Sequence, residues 1–275
     1  MRTWEVKVLY LGKITANLSL VWTPGLPPLQ EDHKLSAPYL GFLLRSKDRL
    51  VLVDSGISEK FIIGGRAWGF LPAEGGKQYM LQALEKEGVG PQDIDTVVYT
   101  HLHNDHAANS KLFSKARVVF QKDEWANLLS PLPIQTIRMD YDPGVIDELR
   151  GRRYLRIDGD FDLTDGVRLI KTPGHTTGSQ SVVVNTKKGA VVLVGDLCLF
   201  NFQMFPGTKE MMDLEGNTVS IPAATPVFGH AVPPTTTYNA YDFYDSIQKV
   251  KAIAERNEPG YIIPGHEMSL IHTGI

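Results

Sequence analysis

Cys198 is the only cysteine in a chain of 275 residues, so an intrachain disulfide is excluded and any tightly held metal must bind through histidine and carboxylate. A basic excess is also missing. Lys and Arg number 28 against 31 Asp and Glu, the formal net charge is −3, and no cationic run offers a stripe for phosphates. Nucleic acid is therefore not an expected partner. Long apolar runs are lacking as well: Arg2, Glu5, Lys7 and Lys13 interrupt the stretch from Met1 to Val21, which excludes the pattern of a signal peptide or membrane span. The expected setting is the cytoplasm, without a membrane partner. No repeat, low-complexity tract or long Gly/Ser linker divides the chain, so residues 1–275 read as one domain able to bury a substantial core.

Short apolar runs punctuated by Gly, Pro, Asp and Ser fill that frame. Glu5 to Leu11, Tyr39 to Leu44, Leu50 to Val53 and Thr96 to Tyr99 read as strands. Lys77 to Lys86 reads as a helix, with Met80, Leu81 and Leu84 at helical spacing and Gly88 and Gly90 after its end. A second batch of strands follows at Ala116 to Gln121, Val167 to Lys171, Ser181 to Asn185 and Ala190 to Val194, with turn signals at Asp165-Gly166 and Lys188-Gly189. From Ala240 to Glu255, Phe243, Ile247, Val250 and Ala254 share one face of a long helix, and a last strand covers Tyr261 to Ile263. Two batches of strands, each with helices, suggest two packed sheets with helices outside, an α/β (α+β) arrangement.

The strongest chemical signal is Thr100-His101-Leu102-His103-Asn104-Asp105-His106, directly after the apolar run Val97 to Tyr99. In extended chain, His101 and His103 point to one side, and the turn beyond them can aim Asp105 and His106 at a neighbouring point. Two adjacent metal sites follow. Imidazole nitrogen and carboxylate oxygen suit Zn²⁺ at about 2.0 to 2.2 Å, and a catalytic ion keeps a position for water or substrate. Further ligands must come from elsewhere, and His175, Asp196 and His266 each follow a strand candidate and sit among turn residues. Asp54, in Val51-Leu52-Val53-Asp54-Ser55-Gly56, repeats the pattern and is placed to hydrogen-bond a ligand imidazole or nearby backbone. A turn or strand-cap role without that contact is the competing reading for Asp54.

These five segments, in this order, resemble the metallo-β-lactamase superfamily. The resemblance implies an αββα sandwich with two metal ions at one edge of the paired sheets. It implies that His101, His103 and His175 hold one ion, that Asp105, His106 and His266 hold the second, and that Asp196 bridges them. The ions would be divalent, with zinc the default and Mn, Co or Fe also accepted by such donors. A hydroxide bridging the ions would attack an acyl carbon while one ion steadies the oxyanion, and Asp105 would act catalytically by moving a proton toward the leaving group.

Within the superfamily, the His-Leu-His opening and Thr172-Pro173-Gly174-His175-Thr176 are similar to the N-acyl homoserine lactonases, which implies hydrolysis of a lactone, a small-molecule cyclic ester. Those lactonases carry a tyrosine three residues after the bridging aspartate; here Leu199 stands there, and Tyr238, Tyr241 and Tyr244 are the nearby alternatives for a hydroxyl. An apparent insertion at about 200–237 contains Phe200, Phe202, Met204, Phe205, Met211, Met212 and Phe228 and suits a lid or pocket wall. Leu199, Phe200 and Phe202 are its pocket candidates, with Trp22, Pro24, Leu26, Pro27, Trp68 and Phe70 as weaker ones. Packing that anchors the loop, or a homodimer interface, is the competing reading. Cys198 between Leu197 and Leu199 reads as an inert buried thiol, and His33, His230 and His272 as surface or packing residues. The alternatives for function are thioester, cyclic amide, β-lactam or other ester hydrolysis, phosphodiester cleavage, a two-iron oxidoreductase, and a non-catalytic metal sensor.

Overall fold

A computed structural model describes residues 2–23 and 25–275; Pro24 and the side chain of Phe228, both named above as wall candidates, lie outside that description. In chain order the first part contains β1 (Glu5–Asn17), β2 (Lys34–Arg45), β3 (Leu50–Val53), β4 (Arg66–Ala67), β5 (Leu71–Gly75), α1 (Lys77–Lys86), β6 (Thr96–Val98), β7 (Arg117–Gln121), α2 (Lys122–Leu129), α3 (Pro133–Arg138), α4 (Gly144–Leu149) and β8 (Tyr154–Ile157). The second contains β9 (Phe161–Thr164), β10 (Val167–Lys171), β11 (Gln180–Thr186), β12 (Gly189–Gly195), α5 (Asn201–Met204), β13 (Glu210–Met212), β14 (Thr218–Ser220), α6 (Ala240–Ile253), β15 (Ile262–Pro264) and α7 (Leu270–Thr273). The strands form an eight-stranded sheet ordered β4-β5-β1-β2-β3-β6-β7-β8, a five-stranded sheet ordered β15-β12-β11-β10-β9, and a separate β13–β14 hairpin.

Period-two alternation splits each central strand between two cores. Val51 and Val53 of β3 and Val119 of β7 face the second sheet, where Val191 and Leu193 of β12 and Leu169 of β10 meet them. Leu52, Val118 and Phe120 face the other way, against Met80, Ala83 and Leu84 of α1 and Val145 and Leu149 of α4. Val192 and Val194 turn outward from the second sheet onto Phe243, Ile247 and Val250 of α6. Helix, sheet, sheet, helix is thus the layer order, the αββα sandwich.

Both halves of the sandwich run their site-bearing strands the same way. β3 and β6 are parallel neighbours. β10 and β12 each pair antiparallel with β11, and β15 runs parallel to β12. The ends of β3, β6, β10, β12 and β15 therefore release their loops at common edges, the usual position for sites on such sheets. A fourth apolar cluster joins Leu18 and Leu35 near the N-terminus to Leu199, Phe200, Phe202, Met211, Ile221 and Met268. Much of the 200–237 segment is consequently packing against the N-terminal segment, with only part of it reaching a pocket.

Candidate metal centre

The loop after β6 stays irregular through Thr100–Ala107, and the imidazoles of His101, His103 and His106 are all buried within it. His175 reaches the same point from the loop after β10, Asp196 from the end of β12, and His266 from the turn after β15. The donor atoms of His101, His103 and His175 lie within 4.8 Å of one another, as do those of Asp105, His106 and His266. A third group under the same limit, His101, His106 and Asp196, straddles the other two. Asp196 Oδ1 is 3.2 Å from Nε2 of both His106 and His266, and Oδ2 is 3.7 Å from His175 Nε2. All seven residues named from the sequence are therefore brought together, with Asp196 between the two sets.

The remaining ring nitrogens of His101, His106, His175 and His266 are tied down, whereas Nε2 of His103 is buried without a hydrogen-bond partner among the described residues. His106 Nδ1 donates to Asp54 Oδ2 at 2.9 Å, His266 Nδ1 to the Pro38 carbonyl at 2.8 Å, and His175 Nδ1 to the Thr236 carbonyl at 3.1 Å. His101 Nδ1 lies 3.1 Å from Thr100 Oγ1, whose hydroxyl donates to Asp54 Oδ2 at 2.8 Å, while the Thr100 amide donates to Oδ1. Asp54 thus supports two imidazoles, one directly and one through Thr100. It does so from the left-handed region, φ 58°, which an aspartate at a turn tolerates better than most residues.

Donors whose other nitrogens are fixed leave their free atoms facing one another. Nε2 of His101, Nε2 of His106 and Oδ1 of Asp196 are buried without a hydrogen-bond partner among the described residues. Burying such groups unpaired is costly, and a shared cation removes the cost. His103 Nδ1 and His175 Nε2, 2.9 Å apart, also converge as two lone-pair donors would. The residues fit divalent metal.

Electrostatics separates the two groups. Burial, reinforced by neighbouring imidazoles, holds His101 and His103 well below the ordinary histidine range, and burial likewise lowers His175, so all three favour the neutral form. Burial also presses on His106 and His266, but Asp196 and Asp105 overcome it and raise both. Asp196 shows the reciprocal effect: burial pushes it up, and the His266 and His106 charges bring it well below the usual carboxylate range. Asp196 and Asp105 thus favour the charged form of His106 and His266.

Above these groups opens a cavity of about 480 Å³, floored by His103, Asp105, His175, Asp196 and His266. Its apolar wall comes from Ile14, Leu20, Leu35, Trp68, Phe70 and Ile137, and its polar side from Arg138, Asp140, Thr235 and Thr236. Leu199 and Phe200 line it, and so do Trp68 and Phe70. Phe202 does not: its ring stacks on Phe200 at 5.2 Å and sits 5.1 Å from Trp22, inside the packing of the insertion. Trp22 donates to the Pro27 carbonyl, and Leu26 packs on the same cluster, so neither they nor Pro27 form the wall. Tyr241, 90% exposed, and Tyr244, 43% exposed, lie on the outside of α6. Tyr238 donates its hydroxyl to Asp140, a cavity residue that sequence reading had no signal to find. Cys198 is fully buried and burial pushes its thiol up, as an inert packing residue requires. His230 and His272 are exposed and His33 is partly so, away from the cavity.

The chain belongs to the metallo-beta-lactamase superfamily, which its residues 40–266 match. Within the superfamily it is similar to an N-acyl homoserine lactonase of Bacillus cereus, 30% identical over 191 residues that cover 67% of this chain and 69% of the relative. An N-acyl homoserine lactonase of Bacillus thuringiensis is 28% identical over 167 residues, 58% of this chain and 63% of that one. In three dimensions the fold superposes with a TM-score of 0.72, at 22% identity over 98% of this chain and 96% of the other, on an N-acyl homoserine lactone hydrolase. That structure has the product N-hexanoyl-L-homoserine at its catalytic metal centre.

Proposed function

We propose that the chain is a metal-dependent hydrolase that opens lactones, with N-acyl homoserine lactones the first candidates. The observation that carries this reading is the floor of interlocking histidine and aspartate donors beneath a largely apolar cavity of about 480 Å³. His101, His103 and His175 would hold one divalent ion, Asp105, His106 and His266 the other, with Asp196 shared. Zinc suits this donor set. Bound there, the ions supply Lewis acidity to an ester carbonyl and let water ionise near neutral pH. Asp105, on the cavity floor, is placed to hold the proton taken from water and release it to the leaving alkoxide. Trp68, Phe70, Leu20 and Ile137 form an apolar mouth able to accept an aliphatic acyl group. Leu199, which lines the cavity, brings no hydroxyl to the position where similar lactonases have one.

Among the described residues no helix is long and apolar enough to cross a membrane. Cytoplasmic residence and work on a small molecule are the proposed setting. Exposed Leu129, Leu132 and Ile134 suit a homodimer, which sedimentation would detect. The test of function is hydrolysis by metal-analysed protein, comparing acyl homoserine lactones, simple lactones, thioesters, β-lactams and phosphodiesters. Lactone opening that vanishes in Asp196→Ala is expected. Fully metallated protein that leaves every lactone intact and cleaves another class would refute the assignment.

A further inference from the structure

Glu124, in the first turn of α2, is fully buried, and among the described residues no Lys, Arg or His lies within salt-bridge distance of it. Its carboxylate instead gathers donors from separate segments. Oε2 accepts from the Leu102 amide at 2.8 Å and the Tyr141 hydroxyl at 3.3 Å. Oε1 accepts from the Thr176 hydroxyl at 2.5 Å, the Gly178 amide at 3.2 Å and Asn127 Nδ2 at 3.3 Å. Leu102 stands between His101 and His103, and Thr176 follows His175. One side chain therefore grips both loops that carry the three-histidine group, one loop on each oxygen.

The fit is close on both sides. A Cβ at Gly178 would lie 2.6 Å from the Glu124 amide nitrogen and 2.8 Å from Oε1, so only glycine seats the loop on this carboxylate. Tyr141, which donates to Oε2, also packs its ring edge-to-face with His103, centroids 4.6 Å apart. Every partner of Glu124 is a donor, which suits an ionised, acceptor-only carboxylate. A buried carboxylate without a cationic side chain is expensive, and these donors are what compensate it.

We propose that Glu124 is the positioning residue of the three-histidine group, binding the two ligand-bearing loops to a single carboxylate so that loss of this residue weakens that group and spares its neighbour. The proposal rests on the reading of these histidines as metal ligands. An amide cannot substitute: in Glu124→Gln one end must present N–H to a donor, either Leu102 or the Thr176–Gly178 turn, and that loop is released.

The test uses the full chain, stripped of metal and titrated with Co²⁺ against a chromophoric chelator, with the cobalt absorption bands and far-ultraviolet circular dichroism recorded. Two backgrounds separate the groups: His266→Ala leaves the three-histidine group intact, and His175→Ala leaves the other. In His266→Ala, adding E124Q is expected to lower cobalt affinity about tenfold or more and shift the bands, the size typical of losing a residue that orients ligands. In His175→Ala the loss should be clearly smaller, because His106 and His266 are held by Asp54 and the Pro38 carbonyl rather than by Glu124. Equal losses in both backgrounds, or no loss in the first, would overturn the proposal. Where E124Q does not fold, Thr176→Val removes one donor at constant shape and should show the same selectivity at smaller size; equal or absent effects there overturn the proposal equally. Wild-type protein that binds no cobalt would sink the metal-site reading itself.

Discussion

Gly265 offers the sharpest probe of how Asp196 is held. A Cβ built there would lie 2.4 Å from Asp196 Oδ1 and 2.9 Å from the carbonyl carbon and oxygen of Gly195. The backbone of Gly265 is outside the left-handed region, so alanine is acceptable in conformation and the whole effect is steric. Ordinary contact begins near 3.4 Å. The methyl cannot retreat past the Gly195 backbone, so the carboxylate must yield by about 1 Å, and a misplacement of that size at reacting groups costs on the order of 10² in rate. Gly265→Ala should thus lower kcat/KM for the lactone about a hundredfold, roughly 2.7 kcal/mol in the barrier. Gly207→Ala is the control, since nothing lies within 4 Å of its added carbon. Initial rates over a range of lactone concentrations, with metal content and melting temperature, decide the matter. A folded Gly265→Ala protein with kcat/KM within about twofold of wild type would show that Asp196 does not need its place.

Three other outcomes are expected. Asp54→Asn keeps a residue that tolerates the φ of 58°, but one of its two ends must present N–H, either to His106 Nδ1–H and the Thr100 hydroxyl or to the Thr100 amide, so metal affinity should fall about 10- to 100-fold. Dialysis against buffered zinc reads this, and unchanged affinity would mean that the Asp54 carboxylate does not orient these ligands. His106 and His266 hold protons above the ordinary histidine value and must shed them to bind a cation, whereas His101, His103 and His175, lowered, are already neutral there. As pH falls, the ion at Asp105, His106 and His266 should leave first, from above about pH 6.5, and the other at lower pH; metal content that drops in one step would contradict this order. Phe70 and Ile137, 60% and 76% exposed at the cavity mouth, should each cost little stability when changed to Ser. Each loss should nevertheless raise KM for long-chain acyl substrates about fivefold relative to short-chain ones, and an unchanged chain-length preference would remove these side chains from substrate contact.

Strands that carry the core were legible because their alternation is strong: Leu50–Val53 and Val167–Lys171 appear with the bounds read from sequence, as does the helix Lys77–Lys86. β1 runs on to Asn17 through a register shift between Tyr10 and Lys13, where Gly12 adopts a positive φ that a Cβ would not survive beside Glu74. Hydrophobic pattern carries no trace of such a bulge. The helices α2, α3 and α4 escaped because each is short and mixes polar with apolar residues, and Glu124 escaped with them. Its role depends on donors 22 and 52 positions away. The seven clustered donors were readable from strand-end motifs. The carbonyls of Pro38 and Thr236 that orient His266 and His175 were not, because any residue can offer a carbonyl.

The order in which the donors appear along the chain has a consequence for biosynthesis. His101, His103 and His175 are all present once the first 175 residues are made, but Asp105 and His106 wait for His266, on the turn after the three-residue strand β15. A growing chain would carry the three histidines before the second set is whole, although Asp196 and the Thr236 carbonyl that holds His175 Nδ1 are made only later. The three-histidine set is therefore laid out early in synthesis but fixed in place only when the later part of the chain has folded onto it.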